Sequence, residues 1–303
     1  AVGRFPSRSE RMLKRSLYML VPLAVLLAVS VLSCLLGYFL IQIVGDRFTL
    51  SKVISKTTLI FLVLSIFPAM RWLKINRSDL GFASGKTLLK QIPQGFALGL
   101  LTLLPVLWLE YQLGIHSLDP AKHWTGLLLA QKMGLALLLA LLISLVEEPL
   151  FRGLLITSLG RKMPLCTAIL VSALYYASLH FLRSHSEIPS DQATLTSGFT
   201  LLGEAFDSLF MPLYLPDWLA LLMVGMILGI IRTRAPQNLG LCIGCHAAWV
   251  WQIKISKALS ITHFKSPYGF LVGHYDNVIG WLVAGWLSLV LLAYWVYRRF
   301  RGL

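Results

Sequence analysis

Met133-Gly-Leu-Ala-Leu-Leu-Leu-Ala-Leu-Leu-Ile-Ser-Leu-Val-Glu147-Glu148-Pro149-Leu-Phe-Arg152 is the stretch that decides the fold. From Met133 to Leu145 it carries no charged side chain. A helix of about 20 such residues, rising ~1.5 Å each, crosses the ~30 Å hydrocarbon core of a bilayer. Two acids and an arginine at the end of such a run are out of place. A charge at bilayer depth costs at least ~2.5–3.5 kcal/mol on insertion scales. The three should therefore face a protein interior or a water-filled cavity, and there perform chemistry or bind an ion.

The rest of the chain agrees with a membrane protein. Its 303 residues are 57% hydrophobic and 13% charged, and the mean hydropathy is +0.74. Apolar runs of spanning length recur throughout. They are continuous rather than alternating, which excludes a β-barrel. The fold class expected is all-α, a polytopic helical membrane protein. About eight transmembrane helices are expected, near 17–44, 53–73, 92–113, 126–159, 164–182, 218–231, 239–255 and 278–297. Three parts follow: an N-terminal basic segment with two spans (1–77), a core (78–255), and an interfacial segment with the last span (256–303).

The formal net charge of +14 is placed by the membrane, not by nucleic acid. Basic residues cluster at alternate connections: Arg71, Lys74, Arg77, Lys86 and Lys90, then Arg161 and Lys162, then Arg232 and Arg234, then Arg298, Arg299 and Arg301. The start is basic too, with Arg4, Arg8, Arg11, Lys14 and Arg15. It leads into a long span, so no cleavable signal peptide is expected. The other connections carry acids as well: Asp46, Asp119, Glu187, Asp191, Glu204, Asp207, Asp217 and Asp276. The asymmetry predicts an integral membrane protein with both termini cytoplasmic, in the plasma or inner membrane if the source is bacterial. The connection 183–217 turns from polar to apolar and reads as a lid or an interfacial helix. Residues 263–274 form a second mixed stretch. Cys34, Cys166, Cys242 and Cys245 all lie in apolar runs, which predicts reduced, buried thiols.

If the span stays helical through residue 152, Glu148 and Arg152 share a face at ion-pairing spacing. Glu147 lies about 100° around the helix, so the two carboxylates are not equivalent. Arg152 neutralises Glu148, and Glu147 points elsewhere as a candidate general base. Pro149 removes one helix hydrogen bond and can kink the chain there. A buried salt bridge joining helices is the plainer account of the same residues. Two histidines fall inside spans, His180 and His246; imidazole supplies a base partner or a donor to an oxyanion. Acids and histidines together also raise zinc, but the His-Glu-x-x-His spacing is absent. Cys242-Ile-Gly-Cys245-His246 matches the attachment string for c-type haem, in an apolar helix where haem attachment is out of context. No metal and no cofactor is expected.

These motifs, in this order, resemble the CPBP family of intramembrane glutamic endopeptidases, which includes type II CAAX prenyl proteases and bacteriocin-processing or self-immunity (ABI-like) proteins. The first motif, Glu-Glu-x-x-x-Arg, is Glu147, Glu148 and Arg152. The second, Phe-x-x-x-His, has Tyr176 in the aromatic place before His180. The third, His-x-x-x-Asn/Asp, has His246 followed by Val250. The resemblance covers about residues 78–255, from Asp79-Leu80-Gly81-Phe82 onward.

The resemblance implies that Glu147 and His246 activate a water, that Glu148 and Arg152 support them, and that His180 stabilises the oxyanion. Val250 cannot donate, so a backbone N–H, Trp249 or Gln252 would have to replace the family's asparagine. The implied partner is a protein or peptide substrate in the lipid bilayer, such as a prenylated tail or a C-terminal sorting signal. A non-catalytic protein of the same fold, binding or protecting a partner, is the main rival, and Val250 favours it. A transporter or proton relay is the third reading; it would require polar residues on spans that lack them.

Overall fold

The computed structural model describes residues 8–302. Arg4 of the basic start lies outside them, as do the side chains of Arg8, Arg11, Lys14 and Asp46. The described chain is 75% helical. In order it forms α1 (Arg8–Val44), α2 (Leu50–Leu73), α3 (Gly85–Gln112), β1 (His116–Leu118), α4 (Gly126–Glu148), a π-helical stretch (Pro149–Leu155), α5 (Ile156–Gly160), α6 (Leu165–Leu179), α7 (Ser197–Ser208), α8 (Leu215–Thr233), α9 (Leu239–Leu259), β2 (Ser260–Thr262) and α10 (Trp281–Phe300). The protein is an all-α polytopic membrane protein.

Among the described residues, six helices are long and apolar enough to cross a membrane. Eight were expected, and the two exceptions have physical reasons. α6 has 15 residues, about 22 Å of helix at ~1.5 Å per residue. α9 has 21 residues but includes His246, Gln252, Lys254 and Lys257. Most of its length is buried by protein, so it has less need of a lipid-compatible surface.

The chain divides into two compact units. The first takes residues up to Ile75, then Leu154–Val171 and His180–Phe210. In it α1 and α2 pair across a short 3-10 turn, Gly45–Arg47. α7 packs on both, and its Leu201 completes a core with Cys34, Ile41, Leu50 and Ile54. The Cys34 Sγ donates to Gly198 O at 3.2 Å. The 183–217 connection thus contains a 12-residue helix, held by Glu204 and Ser208. Glu204 accepts from Ser186 Oγ at 2.6 Å, Ser186 N at 3.0 Å and His185 N at 3.2 Å. Ser208 Oγ bonds Arg183 O at 2.7 Å.

The second unit takes Asn76–Gly153, Ser172–Leu179 and Met211–Leu303. Its spine is the contact between α3 and α9. Gly95 and Gly99 of α3 lie against Leu241 and Cys245 of α9, and Gly240 and Gly244 of α9 lie against Gln91 and Ile92 of α3, so the two backbones approach closely. A Cβ on Gly99 would stand 2.5 Å from Cys245 O, and one on Gly244 would strike Ile92 O. α4 packs on another side of α9, and α8 on α9 and α10. β1 and β2 form a small antiparallel sheet with His116 opposite Thr262. Asp217 and Asp276, two of the acids in the connections, are buried. Asp217 accepts from His274 N and Tyr275 N, each at 3.2 Å. Asp276 accepts from Val278 N at 3.0 Å and Ile279 N at 2.8 Å. These carboxylates serve as anchors for loop backbone.

Candidate active site

α4 begins at Thr125, whose Oγ1 accepts from Leu128 N at 3.2 Å, and runs without interruption to Glu148. Pro149 has no N–H to give to the preceding turn. There the helix widens into the π-helical stretch Pro149–Leu155, a form concentrated at functional sites. The widening keeps Glu148 and Arg152 within reach: Arg152 Nη1 is 3.1 Å from Glu148 Oε1. Both side chains are buried. The Glu147 side chain, one position earlier, retains 23% of its exposure. The two acids are therefore inequivalent.

α9 brings His246 to them. Its Nδ1 lies 2.8 Å from Glu148 Oε1, and its Nε2 lies 3.8 Å from Glu147 Oε2. The first is a short hydrogen bond; the second is too long to be one. Because carboxylates only accept, the bond to Glu148 places the imidazole proton on Nδ1. In the neutral imidazole, Nε2 then carries the lone pair and faces Glu147. Glu147 Oε2, Glu148 Oε2 and both Arg152 Nη atoms are buried and make no hydrogen bond among the described residues. The Arg152–Glu148 contact is thus one of charge and proximity rather than of aligned hydrogen bonds.

α6 contributes Tyr176, whose ring lies 4.2 Å from the Arg152 guanidinium carbon and 6.0 Å, edge on, from the His246 ring. Only the aromatic place in the Phe-x-x-x-His pattern pointed to Tyr176. His180 sits half-buried in the turn that ends α6 and falls in the first unit. Glu147, Glu148, Arg152 and His246 are brought together within the second.

Trp249 and Gln252 do not fill the place left by Val250. Trp249 Nε1 donates to Thr102 Oγ1 at 2.9 Å, and Gln252 Nε2 donates to Gly99 O and Ala248 O, each at 3.1 Å. Both are engaged in helix packing with α3. Cys166 is exposed, against expectation, because it starts α6; the other three cysteines are buried, and all four are free. No group of three or more His, Cys, Asp or Glu among the described residues is arranged to hold a metal.

Sequence reasoning passed over a second buried acid–histidine pair. His116 Nε2 stands 3.2 Å from Glu110 Oε2 at the end of α3, with both side chains buried. His116 Nδ1 contacts Thr262 Oγ1 at 3.2 Å. A carboxyl one residue before an aromatic near a span end was the available signal.

With this geometry in view, comparison with known families is decisive for one segment. Residues 129–252 match the family model of the type II CAAX prenyl endopeptidases, Rce1-like. This is a peptidase family. The match begins in α4 and ends in α9, and it takes in all three motifs. It is narrower than the resemblance read from sequence, since 78–128, with α3, lie outside it. No curated protein and no solved structure matches the chain.

Proposed function

We propose that the protein is an intramembrane glutamic endopeptidase, hydrolysing a peptide bond of a membrane-associated or exported protein. The observation that carries the proposal is the double engagement of His246. Its Nδ1 is fixed by Glu148 at 2.8 Å, and its Nε2 faces Glu147 across 3.8 Å. Two acceptors at that separation suit a bridging water that donates a proton toward each. In the reaction, that water's oxygen forms a bond to the substrate carbonyl carbon. Its proton passes to Glu147, with His246 as partner, and then to the leaving nitrogen as the C–N bond breaks. Glu148 and Arg152 hold the imidazole in its tautomer. His180 is assigned to the oxyanion on the order of the motifs.

The substrate proposed is a protein segment within the bilayer, a prenylated tail or a C-terminal sorting signal. The alternation of basic connections supports cytoplasmic termini. A second reading rests on Val250: a partner-binding protein of the same fold, without turnover. An oxyanion donor is worth ~10²–10³ in rate, so its loss at Val250 points that way.

One comparison separates the two. Membrane fractions from cells carrying the intact chain and cells carrying Glu147→Gln are searched by mass spectrometry for new protein termini. Cleavages that vanish with Glu147→Gln at equal protein level support the endopeptidase and name its substrate. Identical termini in both, with natural partners expressed, leave the partner-binding reading.

A further inference from the structure

We propose that Tyr176 is a positioning residue of this site: a single ring, stacked on Arg152 and edge-on to His246, sets both groups that bracket Glu148. The inference rests on the endopeptidase reading above.

Adjacent carboxylates give a flexible arginine a choice. Arg152 follows Glu147 by five residues and Glu148 by four, and the π-helical widening between them brings both spacings into play. If the guanidinium moved to Glu147, it would neutralise the proposed base. Its hydrogen bonds do not prevent this, because neither Nη atom is aligned with a protein acceptor among the described residues. The constraint comes from aromatic surface. The Arg152 guanidinium carbon lies 4.2 Å from the centroid of Tyr176 and 5.8 Å from that of Phe151. A guanidinium stacks on such a face in a fixed plane, and the attraction strengthens when water is excluded.

The ring itself is held. Phe151 meets Tyr176 edge to face at 5.2 Å and 88°. Ser172 and Tyr176 stand one turn apart on the same face of α6, and Ser172 Oγ donates to Phe151 O at 3.0 Å. α6 is thus tied to the π-helical backbone beside the acids. The other edge of the arrangement is His246, at 85° to the Tyr176 ring. Tyr176 is 2% exposed, so the ring has no room to tilt without moving its neighbours. The family pattern places phenylalanine here, and a phenyl ring would supply the same face.

The test uses the full chain in lipid nanodiscs, with a substrate found by the comparison of termini. Tyr176→Phe is expected to keep kcat within about 3-fold, since ring and stacking persist. Tyr176→Leu is expected to lower kcat by ~10²-fold at unchanged KM, the scale of a misplaced catalytic group. Joined to Arg152→Gln, it should cost no more than the worse single change, because both act through one arrangement. Rates are referred to the folded fraction of each variant. Full activity in Tyr176→Leu, equal losses in the Phe and Leu variants, or independent losses in the double variant would each overturn the proposal. If Glu147→Gln leaves cleavage intact, the endopeptidase reading fails instead. The same cycle is then read in unfolding midpoints, where additive shifts overturn the stacking and non-additive shifts sustain it.

Discussion

Nδ1 of His246 and Oε1 of Glu148 stand 2.8 Å apart across 98 residues of chain. That bond joins the end of α4 to the middle of α9 and fixes which imidazole nitrogen faces Glu147. Arg152 approaches the same oxygen at 3.1 Å. One carboxylate oxygen therefore organises both its neighbours.

Removing one partner from this network should be more damaging than replacing the pair. Arg152→Met leaves Glu148 without its guanidinium, and a broken buried pair costs about 3–5 kcal/mol. The double change Glu148→Gln with Arg152→Met removes both charges and should recover part of that loss. Unfolding midpoints of the single and double variants, in one detergent, check the order. A double variant less stable than Arg152→Met would refute it.

The glycine seam should be equally specific. Gly244→Val places side-chain atoms against Ile92 O, where α3 leaves no space. Overpacking of this kind costs about 1–3 kcal/mol or more, and here it also displaces His246, two residues on. Gly134 lies in α4 with nothing near its Cβ position. Gly134→Ala should therefore stabilise by about 0.5–1 kcal/mol, through helix propensity alone. Midpoints that fall for Gly244→Val and hold or rise for Gly134→Ala are the expected outcome.

Much of this was legible in the sequence because hydrophobic continuity and charge spacing are local signals. The run ending in Glu147 and Glu148 gave the helix, and the four-residue step to Arg152 gave the ion pair. Pro149 marks a break in regular α-helix from the sequence alone, but the π-helical stretch that begins there has no local signature. The non-local features were hidden. Nothing in Trp249 or Gln252 announces that both face α3. Asp217 and Asp276 resemble solvated loop acids until the 274–279 backbone folds onto them. The stretch 239–255 reads as a span because apolar composition does not tell lipid from protein neighbours.

Acid should loosen one loop selectively. The Ser186 hydroxyl, followed by the Ser186 and His185 N–H groups, holds the Glu204 carboxyl below its ordinary value of 4.5. A carboxyl lowered in the folded state stabilises it above the unfolded value, and the contribution fades as pH falls through the folded one. The segment around His185 and Ser186 should thus become more susceptible to proteolysis as pH drops below about 4.5. Glu204→Gln should remove that dependence and start from the looser state. Cleavage at 183–187 that is equal in both proteins at every pH would exclude this role for Glu204.

Arg232 offers the sharpest test of how the second unit is fastened around its site. It is buried at the end of α8 and donates Nη2 to Asp79 O at 2.7 Å, Nη1 to Pro236 O at 3.0 Å and Nε to Leu80 O at 3.2 Å. The same loop receives Leu239 N at Gly81 O, at 3.0 Å, where Gly81 adopts φ +97° and leaves the guanidinium its space. Leu80 O in turn lies against Gly153, just past Arg152. A lysine offers one ammonium where three separate carbonyls need donors. Arg232→Lys should therefore lose at least one charged hydrogen bond, about 1.5–3 kcal/mol, and loosen the 79–82 loop together with the start of α9. Hydrogen exchange at Leu239 and at the first turn of α9 reads that loosening directly. Unchanged exchange there, with a lowered midpoint, would mean that Arg232 stabilises α8 alone and has no hold on the helix that carries His246.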